Sequence, residues 1–167
     1  HTPVLVSWNG SGFDLPVLHY RALLHQVAAP TYWEMVENLS AFKLNNYLNR
    51  YHYRHLDLMD VLAAYQNKAY APLDEIAIML GFPGKIGLHG SRVFEAFQQG
   101  NLDAIRNYCE IDVLNTYGVY LRFEVLRGKI STNECNEQLL HLQHYLERSP
   151  EKAHWQEFAQ KLPLRTP

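Results

Sequence analysis

Between Asn101 and Gly128 the chain runs without a proline, and apolar residues return at helical spacing at Ile105, Cys109, Val119, Tyr120 and Phe123. The stretch predicts one long helix, capped by Asn101 and stopped at Gly128. Tyr108 and Asp112 are four residues apart and share a face with Ile105, Cys109, Thr116 and Val119. An ionised carboxylate in an apolar stripe is costly without an arginine, backbone donors or a metal ion beside it. The rest of the chain must supply that partner. A raised pKa or an open cavity in front of this helix is the expected mark of an under-compensated Asp112.

Ahead of the helix, Pro3-Val4-Leu5-Val6-Ser7-Trp8 reads as a strand, Asn9-Gly10-Ser11-Gly12 as a turn, and Phe13 to Leu24 as a helix with Pro16 in its first turn. Residues 31 to 54 mix Tyr32, Trp33, Phe42, Tyr47, Tyr51 and Tyr53 with Lys43, Asn45, Asn46, Asn49, Arg50 and Arg54 and keep no clean period, so loop and short strand are expected. The mixture between Lys43 and Arg54 suits stacking on a single nucleic-acid strand, and equally a half-buried strand with amphipathic tyrosines.

His55 to Leu62 predicts a strand end running into a short helix, and Pro72 to Leu80 a helix that stops at Gly81. A glycine-rich loop follows from Gly81 to Ser91, then a helix from Arg92 to Gln98. Ser131 and Glu134 have capping-box spacing and open a helix whose Leu139, Leu142 and Leu146 form a packing stripe. Ser149-Pro150 is expected to start the last helix.

With 167 residues, 47% of them apolar and 13% aromatic, the chain has enough for one core, and a single domain over 1-167 is expected, with about 131-167 as a helical C-terminal extension. The formal charge of −2 excludes a bulk electrostatic attraction to polyanions, so any such site is local. Cys109 and Cys135 have neither metal-ligand spacing nor the makings of a disulfide scaffold. No apolar run approaches a membrane span, and no secretory signal is present, which leads to the expectation of a soluble cytoplasmic protein. The chain has no initiator methionine and opens on a strand, as a domain cut from something longer does.

Taken singly, Asp14 is either a helix N-cap or a metal-facing acid at a strand end, and Asp112 either a salt-bridged structural acid or a ligand. Their order says more. Asn9-x-x-x-Phe13-Asp14 on a strand, turn and helix, followed by Tyr108-x-x-x-Asp112 on a long helix, resembles two of the three motifs of the DEDDy 3′-5′ exonucleases. His55-Leu56-Asp57-Leu58-Met59-Asp60, Gly84-Lys85 with Gly90-Ser91, and Tyr108 through Thr116 resemble most closely the bacterial predicted exonucleases related to the proofreading domain of family-B DNA polymerases. The resemblance runs from about residue 4 to about residue 130.

It implies a ribonuclease H-like α/β fold, here N-terminally truncated and so helix-rich with few strands. It also implies a metal-dependent enzyme that hydrolyses phosphodiester bonds at a free 3′ end, single-stranded DNA favoured over RNA. Two divalent cations, Mg²⁺ or Mn²⁺, serve such chemistry by activating water and neutralising charge, and hard cations take oxygen ligands. By resemblance Asp112 is a direct metal ligand, Asp14 serves the second metal, and the Tyr108 hydroxyl orients the nucleophile. Asn9 and Phe13 lie near the terminal nucleotide, and Lys85 is a weaker candidate for a phosphate contact, or else a solvated loop lysine.

The family's first motif, Asp-x-Glu on a strand, supplies two further carboxylates and stands several tens of residues ahead of Asn9. Only eight residues precede Asn9, and none of them is acidic. Two carboxylates are too few for two hard ions, so the isolated fragment is expected to be inactive or nearly so. Asp57 has neither the spacing nor the place of that motif and reads as a structural acid or cap. Gly84-Lys85 lacks the rest of a phosphate loop, and the nine histidines show no zinc spacing. The competing reading is a non-catalytic nucleic-acid-binding or scaffolding domain of the same fold.

Overall fold

A computed structural model describes residues 2–35 and 40–164, so part of the stretch expected as loop and short strand lies outside the described residues. The chain divides into two compact units, His1–Tyr70 and Ala71–Pro167.

In the first unit, β1 (Leu5–Ser7) and β2 (His55–Asp57) pair in parallel, with Leu5 opposite His55 and Ser7 opposite Asp57. Parallel strands need a long crossover, and here it includes α1 (Asp14–Leu24) and α2 (Pro30–Trp33). The short helix α3 (Leu58–Leu62) leaves β2 directly and packs on both strands. All three β2 residues are buried and β1 is half-buried. Phe42, Tyr47, Leu56 and Leu58 make the centre of the unit. The buried Tyr47 hydroxyl is satisfied by donating to the Pro3 carbonyl at 2.6 Å, and the Tyr47 ring stacks on Tyr32 at 5.6 Å.

Two expectations need correction in this unit. Among the described residues no strand forms within 31 to 54; Pro30 at the first helical position starts α2 instead, and the aromatic residues pack ring against ring. Asp14 is not a side-chain cap. Phe13 holds the cap position, and Asp14 is the first helical residue, where its charge suits the positive end of the helix dipole. None of the α1 residues is buried.

The second unit is built around the long helix, α6 (Leu102–Leu126), against which α4 (Leu73–Met79), α5 (Val93–Gln98), α7 (Thr132–Glu147) and α8 (Ala153–Gln160) all pack. Asn101 caps α6 by accepting from the Ala104 N–H at 3.2 Å, and Gly128 follows it at a φ of 68°. Ser131 and Glu134 form the full capping box of α7. Ile111, Leu121, Cys135, Leu139, Leu146 and Phe158 form one core with Ala77 and Phe82. Phe82 reaches α6 because residue 118 is glycine: a Cβ there would lie 2.7 Å from its ring.

The buried stripe of α6 differs from the expected one. It runs through Ile111, Asn115, Gly118 and Val119, while Cys109 is exposed and Ile105 and Asp112 are half-buried. With several helices packed on it, α6 buries more than one face, so apolar spacing alone misplaces the stripe. The last helix also starts later than Ser149-Pro150. The Ser149 carbonyl accepts from the Lys152 N–H at 3.1 Å, closing a turn, and Lys152 becomes the cap.

Candidate active-site residues

The site residues read from the sequence fall in both units: Asn9, Phe13 and Asp14 in the first, Lys85, Tyr108 and Asp112 in the second.

In the first unit the turn after β1 is tied down by Asp57. One carboxylate oxygen accepts from the Asn9 N–H at 2.9 Å and the Met59 N–H at 3.2 Å, and the other accepts from Ser11 N–H at 2.8 Å. Asp57 is 5% exposed, so three backbone donors compensate a buried charge. It caps α3 as expected of it and also fixes the loop that carries the candidate residues. Asn9 adopts a φ of 62°, and its carbonyl accepts from Gly12 and Phe13, which turns the chain into α1. Gly10 permits the close approach, since a Cβ would lie 2.3 Å from Ser7 Oγ. Phe13 and Asp14 remain exposed at the start of α1.

His55 sits beside this turn, its Nε2 2.8 Å from Ser7 Oγ. Burial pulls its pKa down, against the opposing pull of Asp57, Asp60 and Asp14, so the imidazole is neutral at pH 7. Replacing Asp57 with alanine orphans the Asn9, Ser11 and Met59 amides and is expected to cost roughly 2–4 kcal/mol. Urea unfolding measures the loss, and faster amide exchange at Asn9 and Ser11 locates it.

In the second unit Tyr108 and Asp112 stand one helical turn apart on the same face of α6. The Tyr108 pKa is pushed up to about 12, first by burial, then by the hydrogen bond and charge of Asp112, with Cys109 and Asp74 adding to it. The phenol therefore stays protonated and serves as a donor, with the Asp112 carboxylate one helical turn away. The loop between α4 and α5 passes over this pair: a Cβ on Gly90 would lie 3.1 Å from the Tyr108 hydroxyl. Asn115, one turn beyond Ile111, holds the same loop by accepting from the Gly84 N–H at 3.2 Å and donating to the Gly84 carbonyl at 2.8 Å. Lys85 is exposed, its backbone N–H donating to Asp74 Oδ1 at 2.7 Å.

A cavity also borders α6 on another face. A space of about 600 Å³ opens against Asp103, Arg106, Asn107 and Glu110 of α6 and Lys152 and His154 beside α8. At 100° per residue these α6 positions face away from Tyr108 and Asp112. Glu110 is held there by Lys152 Nζ at 3.2 Å and His154 Nε2 at 2.7 Å. Desolvation raises its pKa, but the hydrogen bonds and charges of His154 and Lys152 outweigh that, and the net shift is downward. A depressed carboxylate adds stability above its unfolded value near 4.5 that is lost as pH falls through the lower folded value. Glu110→Gln should accordingly flatten the acid limb of stability against pH, read from thermal melts between pH 3 and 6.

Two roles escaped the sequence. Asn115 was part of a motif without an assigned job, although a polar residue among apolar neighbours on a helix is the signal of a buried hydrogen-bond clamp. The Glu110 cluster joins residues more than forty positions apart and leaves no local signal. His52 Nδ1 accepts from the Asn46 N–H at 2.9 Å and His55 lies in β2, in keeping with structural histidines.

Among the described residues no group of three or more His, Cys, Asp or Glu side chains is arranged to hold a metal ion. No helix among them is long and apolar enough to cross a membrane.

Neither a curated protein nor a solved structure matches the chain. A family model described as a predicted 3′-5′ exonuclease related to the exonuclease domain of PolB matches residues 1–162. The chain thus belongs to the family of predicted 3′-5′ exonucleases related to the PolB exonuclease domain.

Proposed function

We propose that the chain takes part in hydrolysing phosphodiester bonds at the 3′ end of nucleic acid, single-stranded DNA in preference to RNA, on a ribonuclease H-like fold of the DEDDy type. Tyr108, Asp112 and Asp14 are its reacting residues. The observation that carries this reading is the shared face of α6 on which Tyr108 and Asp112 stand one turn apart, in a chain matched over residues 1–162 to a 3′-5′ exonuclease family.

The chain's own groups have definite tasks in such a reaction. A phenol that ionises only near pH 12 is a hydrogen-bond donor at working pH and not a general base, so Tyr108 orients oxygen atoms. The Asp112 carboxylate shares the face from which that phenol acts. In this reading Asn9 and Phe13 meet the terminal nucleotide, supported by the turn that Asp57 holds and by the exposure of Phe13, whose ring is free to stack. Lys85 offers a mobile positive charge for a phosphate.

Two divalent ions, Mg²⁺ or Mn²⁺, are the cofactors the family's chemistry calls for. The residues described here do not fit a metal pair by themselves, because no cluster of three or more acidic, histidine or cysteine ligands is assembled. That observation favours a second reading, a nucleic-acid-binding or scaffolding domain that does no hydrolysis.

A 5′-labelled oligonucleotide separates the two. This chain and a longer form carrying any residues encoded upstream of His1 are each incubated with Mg²⁺, Mn²⁺ or chelator. Stepwise shortening by the longer form, absent in chelator, supports the exonuclease reading; no digestion by either form supports the binding domain. Metal-dependent digestion by this chain alone would show that its own residues hold the ions after all.

A further inference from the structure

We propose that Arg50, Tyr51 and Tyr65 form a stacking platform for the bases of single-stranded nucleic acid. The proposal rests on the reading of the chain as one that handles a nucleic-acid strand.

The platform is anchored from below. Asp60 is 6% exposed and accepts from Arg50 Nη2 at 3.1 Å and from the Tyr70 hydroxyl. This fixes the guanidinium, whose carbon lies 4.8 Å from the Tyr65 ring centre and 6.0 Å from that of Tyr51. The two rings meet edge to face at 4.9 Å, and the Tyr65 hydroxyl donates to the Arg50 carbonyl at 3.2 Å. One planar cation and two rings are thus fixed to one another.

The backbone is distorted to make this arrangement. Ala64 and Tyr65 take consecutive positive φ values of 49° and 60°, a conformation that a bulky side chain adopts rarely, and the second of them presents the Tyr65 ring to Arg50. A core-packing role does not explain the outcome, because the Tyr51 side chain is left 66% exposed and that of Arg50 48%. Tyr53, two residues on, is 59% exposed.

The chemistry selects the ligand. Flat aromatic and guanidinium faces in water stack on nucleobases of any sequence, and base faces are accessible in a single strand but hidden inside a duplex. The Arg50 charge is already matched by Asp60, so binding depends on stacking more than on phosphate attraction and weakens little with added salt. A positively charged groove for a duplex backbone is a poorer match for this neutral, aromatic surface.

Fluorescence anisotropy tests the platform with a 5′-fluorescein-labelled 12-mer of deoxythymidine in chelator, where digestion does not enter the readout. Tyr51→Ala should weaken binding by roughly tenfold, the loss of one base stack, while Tyr51→Phe keeps the ring and should stay within about twofold of the parent. Circular dichroism melts verify that both variants fold. No binding of the 12-mer by the parent chain, equal binding by Tyr51→Ala, or equal loss in Tyr51→Phe overturns the platform. The two readings fail separately. Binding that Tyr51→Ala weakens, from a protein whose longer form never digests, retains the platform and overturns the exonuclease; digestion with affinity untouched by Tyr51→Ala does the reverse.

Discussion

Asp112→Ala is expected to slow 3′-end digestion by the longer form roughly a hundredfold or more, the range for removing a charged group aimed at a reacting centre. The variant deletes the carboxylate that stands one turn from the Tyr108 phenol, the one carboxylate on that face of α6. Tyr108→Phe removes only the donor, and a loss of about tenfold to a hundredfold is expected, smaller than that for Asp112→Ala. Single-turnover rates measure both. Because the phenol ionises only near pH 12, the parent's rate should show no fall at alkaline pH that Tyr108→Phe abolishes below about pH 10. Equal rates for Asp112→Ala and the parent would remove the pair from the chemistry.

Asn115→Ala is the change expected to cost the second unit most for its size. The side chain is 1% exposed and makes three hydrogen bonds, two to Gly84 and one donated to the Ile111 carbonyl at 3.0 Å. Alanine leaves the buried Gly84 amide without its acceptor and the carbonyl without its donor, for a loss of about 3–5 kcal/mol. Urea unfolding measures it, and amide exchange at Gly84 shows whether the loop comes away from α6. Lys85→Ala, one residue along on the exposed side of that loop, should change stability by less than about 0.5 kcal/mol. A cost below about 1 kcal/mol for Asn115→Ala would mean that the loop is held by something else.

The pattern of what was legible follows the range of the interactions. Asn101, Gly81, Gly128 and the Ser131 to Glu134 box act within one turn of backbone, and each helix end they mark is found where the spacing places it. Tyr108 and Asp112 are also local, four residues apart on one helix, so their meeting could be read before any fold was known. The buried face of α6 depends instead on four partner helices, which is why Cys109 falls outside it and Asn115 inside. Asp57 shows the intermediate case. Its cap on Met59 is local, but its hold on Asn9 and Ser11 requires β1 and β2 to lie side by side, and spacing alone does not contain that pairing.

The polarity of degradation tests the central claim most directly. The longer form is incubated with Mg²⁺ and one single-stranded oligonucleotide labelled at either end. The expected products are a ladder shortened one nucleotide at a time from the 5′-labelled strand and labelled mononucleotide released at once from the 3′-labelled strand, with neither in Asp112→Ala. Internal cleavage, shortening from the 5′ end, or an unchanged oligonucleotide in every metal would contradict it.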